Sequence, residues 1–172
     1  LIGAIGPGKE LVYAEQTIVV TDDGNRIAYL MGGKFPGFKT FIHVMMAMNP
    51  KYSMLGFEVL EHEEDPGLGA EIEMDYFKNQ FEGKPFEILK GLQVVKEPLP
   101  AEYQAALEYK VDEAEREKMM DKYREQDIYA LTGATISTKA VSDGLKGIAK
   151  RFAYRLDTLD SVLKEQQIAV SF

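Results

Sequence analysis

Seven apolar positions near the C-terminus, Val141, Leu145, Ile148, Phe152, Leu156, Leu159 and Leu163, follow one another by three or four residues without a miss. That period puts them on one stripe of an α-helix. A helix so long and so one-sided needs a surface to cover its stripe, because tertiary packing rather than propensity supplies most helical stability. The upstream chain has to provide that surface, and its patterns are those of strands.

"LVYAEQTIVV" (11–20) and "NRIAYLM" (25–31) flank Asp22, Asp23, Gly24 and Asn25, a turn signal that predicts a hairpin. "TFIHVMMAM" is apolar at both parities, as for a strand covered on both faces, and Asn49 and Pro50 end it. The methionines 45, 46 and 48 read as packing and His43 as a hydrogen-bonded core histidine. In "SMLGFEVLEH" alternation returns, with Leu55, Phe57 and Val59 on one face and Glu58 on the other. Two further strands are expected at 91–96 and 126–130, and a short helix at 74–82 marked by Met74, Phe77 and Phe81. Between Pro98 and Asp127 the chain is charged and helix-favouring, and Asp112 and Arg116 stand at the spacing of a solvated surface pair. Consecutive strands followed by helices predict an α+β fold, a largely antiparallel sheet packed by helices. A length of 172 residues with 45% hydrophobic content suits one globular unit, residues 1–172.

Charge and composition remove several function classes. A formal net charge of -8 with scattered Lys and Arg argues against nucleic acid. With no Cys, disulfides, iron–sulfur ligation and thiol catalysis are excluded from this chain, and His43 and His62 are too few for a histidine-rich metal site. The acidic run Glu61, Glu63, Glu64 and Asp65 beside His62 reads as a solvated face rather than a metal site. The longest apolar run, Phe41 to Met48, falls well short of the ~20 residues of a membrane span. The chain starts at Leu1, and "LIGAIG" reads as the possible tail of an apolar segment.

Chemistry concentrates in two stretches. In "DIYALTGATISTKAV" (127–141), Thr132, Gly133, Ala134 and Thr135 form the turn into a helix expected to begin near Ile136 to Thr138. The unpaired N–H groups of such a first turn suit a phosphate. Judged on spacing alone, an ordinary N-cap by Thr135, Ser137 or Thr138, with Gly133 permitting the turn, is the better reading, because Ser and Thr are common before a helix. In "EDPGLG" (64–69), Pro66 fixes φ, Gly67 and Gly69 permit close approach and Leu68 offers one apolar side chain between them, so that a flat ring could lie against the backbone; taken alone, the stretch reads as a turn that ends a strand.

"TGATIST" preceded by "DIYAL" resembles the D-x-x-[ST]-G-A-[ST] signature of the FMN-binding domain in the G subunit of Rnf-type electron transport complexes. It is similar also to the C subunit of the sodium-translocating NADH:quinone reductase. "GFEVLEHEEDPGLGAEIE" (56–73) resembles the same family's G-x-x-V-L-E-H-x-E-T-P-G-L-G run, with Asp65 where the family has Thr, and "QFEGK" further on is family-like too. The signature's aspartate is matched by Asp127, at a looser spacing. The resemblance covers most of residues 12–155, leaving about 98–125 as a helical insertion and 156–172 as a tail.

The resemblance implies that a flavin transferase couples FMN through its phosphate to Thr135. It makes Thr132, Gly133, Ala134, Ile136 and Ser137 the phosphate and ribityl surroundings, and Glu64, Asp65, Gly67, Leu68 and Gly69 the ring surroundings. A carboxylate such as Glu64 beside a reduced flavin would tune its potential. The implied function is that of an electron-carrying subunit, not a stand-alone catalyst, in a membrane complex that moves electrons between ferredoxin and NAD and translocates Na+ or H+. Its partners would be the other membrane subunits, and an N-terminal anchor absent from this sequence would hold it on the outer side of the cell membrane. Three alternatives stand beside this: the C subunit of the quinone reductase, a non-covalent flavin-binding enzyme, and a cofactor-free interaction domain whose threonines only cap a helix.

Overall fold

The structure, a computed structural model, describes residues 2–4, 10–12, 17–22 and 25–165. Strands β1 (Ile2–Ala4) and β2 (Glu10–Val12) pair with each other, and β3 (Thr17–Asp22), β4 (Asn25–Pro36), β5 (Phe41–Met48) and β6 (Met54–Glu61) form an antiparallel meander in that order. A 3-10 turn (Gly69–Glu73), α1 (Asp75–Lys78), a second 3-10 turn (Asn79–Phe81) and α2 (Phe86–Leu89) follow. Then come β7 (Val94–Val95), α3 (Ala101–Leu107), α4 (Glu113–Tyr123), β8 (Ile128–Tyr129) and the long helix α5 (Thr135–Glu165). This is the expected α+β architecture, with an antiparallel four-stranded sheet and a long C-terminal helix.

The helix stripe meets the sheet as the periodicity requires. Val141, Leu145, Ile148 and Phe152 are buried with Met31, Ile42, Val44, Met46, Met48, Met54 and Phe57 of the sheet, and Leu156 packs at the margin. The side chains of Leu159 and Leu163, and the tail 166–172, lie outside the described residues. Helix and sheet approach closely where side chains are missing: a Cβ on Gly33 would come within 2.2 Å of Ile148 Cδ1, and one on Gly144 within 2.2 Å of the Phe35 ring.

Several expectations are corrected. Of the strand foreseen over 11–20, residues 11–12 belong to β2, which pairs with β1, and 17–20 to β3, which pairs with β4, while 13–16 and the turn residues Asp23 and Gly24 lie outside the described residues. Its partner runs on to Pro36 instead of stopping at 31. β5 is buried on one face only: Ile42, Val44, Met46 and Met48 point inward, while His43, Met45 and Ala47 are half-buried. His43 is therefore on the outer face, its Nδ1 3.5 Å from the Glu61 carboxylate. Leu55 does not share a face with Phe57, because the β5–β6 register jumps from Ala47↔Gly56 to Met48↔Met54. The jump leaves Leu55 in a bulge, 47% exposed, and buries Met54 in its place.

The strands expected at 91–96 and 126–130 shorten to the parallel pair β7–β8. The short helix at 74–82 forms as α1 plus a 3-10 turn and buries Phe77 and Phe81, but Met74 stays half-exposed. The charged stretch after Pro98 is not a plain solvated helix; it folds back as α3 and α4, burying Tyr103, Leu107 and Tyr123 in a second, smaller core. Asp112 and Arg116 do not pair through their side chains. Asp112 caps α4 by accepting the Glu115 N–H at 2.9 Å, and Arg116 turns away to Glu82 at 2.6 Å.

Candidate flavin site at the mouth of the long helix

The turn into α5 is built by its own hydroxyls. Thr138 Oγ1 accepts the Leu131 N–H at 3.0 Å and donates to the Ala134 carbonyl at 3.0 Å, so one side chain closes the loop 131–138. Gly133 takes φ +74°, a conformation that favours glycine. Just upstream, the buried Gln80 amide brackets Tyr129, accepting its N–H at 2.8 Å and donating to its carbonyl at 3.3 Å. Asp127 is used structurally, accepting the Gln93 N–H at 2.9 Å where β7 and β8 begin.

The residue preceding the helix is Ala134, which has no side-chain oxygen with which to cap it. The Thr138 N–H reaches the Ala134 carbonyl at 3.0 Å. The N–H groups of Thr135, Ile136 and Ser137 lie ahead of the first intrahelical acceptors. An anion placed there meets free donors and the positive end of the helix dipole. Of the three N-cap candidates, Ser137 turns its hydroxyl inward to Glu64, Thr138 serves the preceding loop, and Thr135 is the first residue of the helix itself.

Glu64 is buried, only 4% exposed, although it sits in an acidic run. Its Oε1 accepts the N–H groups of Phe38 at 2.8 Å and Lys39 at 3.1 Å, and its Oε2 accepts the Ser137 hydroxyl. The neighbouring turn is closed by the Asp65 carbonyl, which accepts the N–H groups of Leu68 at 3.1 Å and Ala70 at 3.0 Å. The Asp65 carboxylate pairs with Lys39, and that hydrogen bond and charge hold the Lys39 ammonium above its usual range. His62 is tied in as well, its Nδ1 accepting the Glu64 N–H at 3.0 Å and its Nε2 lying 3.2 Å from Glu73. Among the described residues, no three His, Asp or Glu side chains are grouped to hold a metal ion.

Two clefts meet at Thr135. The smaller, about 240 Å³, is lined by Phe38, Asp65, Leu68 and Gly69 on one side and Gly133 to Ser137 on the other. The larger, about 560 Å³, reaches from Thr132, Gly133 and Thr135 past Tyr129, Gln80 and Tyr76 to Leu99 and Gln104. In it, burial and then the Glu71 carboxylate that accepts its hydroxyl raise Tyr76 far above the usual phenol range. Of the expected residues, Asp65, Leu68, Gly69, Gly133, Ala134, Thr135, Ile136 and Ser137 therefore converge on one cavity. Thr132 lines only the larger cleft, Gly67 lies out on the turn at φ +70°, and Glu64 lies behind the wall. Sequence reasoning missed the larger cleft and the hairpin tip carrying Phe38, whose exposed side chain gave no periodic signal.

A helix mouth uncapped by a side chain, walled by two glycine-containing loops and carrying a half-buried threonine, is an arrangement that suits a phosphate-bearing group. Residues 37–150 match the family model of the FMN-binding domain. The chain belongs to that family.

It is 32% identical over 140 residues to the G subunit of the proton-translocating ferredoxin:NAD(+) oxidoreductase complex of Clostridium ljungdahlii, a match that covers 81% of this chain and 58% of that protein. A shorter likeness, 36% over 66 residues, joins it to the G subunit of the ion-translocating oxidoreductase complex of Haemophilus influenzae, covering 38% of this chain and 32% of that one. The fold is that of Shewanella oneidensis NqrC, at TM-score 0.57 and 20% identity over 83% of this chain and 58% of that one. It is also that of the C subunit of the Na(+)-translocating NADH-quinone reductase from Parabacteroides distasonis, at TM-score 0.51 and 23% identity over 77% and 57%. The chain thus spans somewhat more than half the length of the relatives it matches most broadly. No helix among the described residues is long and apolar enough to cross a membrane.

Proposed function

We propose that this chain is the FMN-carrying part of an electron-transfer subunit in an ion-translocating ferredoxin:NAD oxidoreductase complex, with FMN linked through its phosphate to Thr135. The observation that carries the attachment point is a sorting of four hydroxyls. Ser137 and Thr138 are buried and engaged, Thr132 reaches only the larger cleft, and Thr135 is half-exposed at the uncapped helix mouth where both clefts meet.

In this reading the N–H groups of Thr135, Ile136 and Ser137 hold the phosphate, and Thr132, Gly133 and Ala134 shape the turn beside it. Asp65, Leu68 and Gly69 face the flavin from the opposite loop, which Gly67 turns. Bound FMN supplies one- and two-electron chemistry, while the chain orients it and sets its surroundings. A covalent link keeps the flavin at high effective concentration beside its site, which matters on the outer side of the cell membrane where a released cofactor is lost. The partners are the membrane subunits of the complex and, during maturation, a flavin transferase; the coupling ion is Na+ or H+. The chain forms one FMN-binding unit, with α3 and α4 as an insertion that carries its own small aromatic core. The 32% identity to the Clostridium ljungdahlii protein favours this complex over the quinone reductase, whose C subunit shares the fold.

The test is intact mass and peptide mapping of protein co-produced with a flavin transferase. Wild type is expected to gain one FMN on the peptide containing Thr135, and Thr135→Ala none. FMN that washes out of denatured wild type would instead mark a non-covalent binder, and wild type without any flavin a cofactor-free domain.

A further inference from the structure

We propose that Glu64 is the positioning residue of the flavin cavity: its buried carboxylate fastens together the three separate segments that wall it. The inference rests on FMN occupying the mouth of α5. The smaller cavity takes its wall from the β4–β5 hairpin tip (Phe38), the loop 65–69 and the first turn of α5. Glu64 belongs to the loop segment, accepts the Phe38 and Lys39 N–H groups from the hairpin tip, and accepts the Ser137 hydroxyl from the helix.

Two glycines make room for the carboxylate. A Cβ on Gly37 would lie 2.5 Å from Oε1, and one on Gly69 2.7 Å from Oε2 and 2.7 Å from the Ser137 hydroxyl. Real Cβ atoms do not approach so closely, so the carboxylate and both loops fit only as a set. The residue acts through Phe38, Gly69 and Ser137 and does not itself line the cavity. A fluctuation at any one contact moves a wall against which the flavin packs.

Positioning and charge make opposite demands on two variants. Glu64→Gln keeps the length, and its amide oxygen still accepts the hairpin N–H groups while its NH2 donates to Ser137. Glu64→Asp keeps the charge but is one methylene short, and cannot reach hairpin and helix at once. In flavin-free protein, Glu64→Asp is expected to speed amide exchange at Phe38 and Lys39 by about tenfold, the loss of one hydrogen bond, with Glu64→Gln close to wild type.

In flavinylated protein, confirmed by mass, the covalent link retains the cofactor even in a loosened cavity, so visible circular dichroism, flavin fluorescence and midpoint potential stay readable. Glu64→Asp is expected to weaken the dichroism and raise the fluorescence severalfold, with Glu64→Gln near wild type and Ser137→Ala between them. A potential and spectra altered in Glu64→Gln but not in Glu64→Asp would overturn the proposal in favour of a direct charge effect. Wild-type spectra in both would overturn it outright. FMN missing from wild-type Thr135 would fail the underlying reading, and the mass identifies that outcome separately.

Discussion

Lys84 tests how far the fold depends on one buried cation. It is 1% exposed, and its ammonium donates to the carbonyls of Tyr123 at 3.2 Å, Arg124 at 2.9 Å and Gln126 at 2.7 Å. These are among the last carbonyls of α4 and the turn that leads into β8 and on to the flavin signature. Burial lowers its pKa from 10.5 to about 8, against a smaller opposing pull from Asp127. At about 1.4 kcal/mol per pH unit, that amounts to ~3 kcal/mol against the ammonium.

Three hydrogen bonds from a charged donor, at about 1.5–3 kcal/mol each, more than offset it. Lys84→Met keeps the apolar stem and removes the donors. The exposed Arg124 and Gln126 segments rehydrate in part, so the expected net loss at pH 7 is ~2 kcal/mol. Between pH 8 and 10.5 the unfolded chain binds a proton that the native lysine has released, so the unfolding free energy rises with pH. From about pH 8 to about pH 9.5 the gain from this group is ~2 kcal/mol. Above that window Tyr76 and Tyr103, both raised chiefly by burial, hold native-state protons longer than the unfolded chain does and reverse the slope. Urea unfolding across the window measures both effects. A wild-type curve that is flat or falling, parallel to that of the Met variant, refutes the reasoning.

Two glycine substitutions probe the site and its scaffold. At Gly133, φ is +74° and an added Cβ would lie 2.9 Å from Leu68 Cδ2. Gly133→Ala should cost ~1–2 kcal/mol in a thermal melt and lower FMN incorporation at Thr135 severalfold by mass. Gly144→Ala drives a methyl into the Phe35 ring across the helix–sheet interface. It should cost ~2–3 kcal/mol in urea while incorporation by the protein that remains folded persists.

Most of the architecture could be read from periodicity. The α5 stripe from Val141 to Leu156, the pairing of β3 with β4, the β5 and β6 strands and the helix around Phe77 and Phe81 each carry a local signal, and each appears. The failures came where a non-local contact decides. Nothing near Leu55 signals that the register slips by one residue, since the slip depends on how β5 and β6 meet. The charge of 98–127 concealed Tyr103 and Tyr123, whose rings stack 4.1 Å apart only once two helices fold together. The flavin motifs marked both loops, but an acidic run cannot reveal which carboxylate turns inward. Glu64 does so because Ser137, 73 residues away, and the Phe38 and Lys39 amides offer donors there.

The acidity of the chain also bears on why an ester link suits this helix mouth. With a net charge of -8, Asp65 on the cavity wall, Glu64 buried behind it and Glu61 and Glu63 in the same acidic run, the long-range field opposes a phosphate dianion. A carboxylate ~10 Å away in water costs such a dianion ~0.8 kcal/mol, and several together cancel most of what a helix N-terminus returns, at about 0.3–1 kcal/mol in exposed sites. Lys39 offers little relief, because Asp65 already engages it. In the proposed linkage, esterification to Thr135 would convert the phosphate from a dianion to a diester monoanion, roughly halving the repulsion and lowering the entropy cost of holding the flavin. The carboxylates can then serve the fold, as Glu64 does, without forfeiting the cofactor.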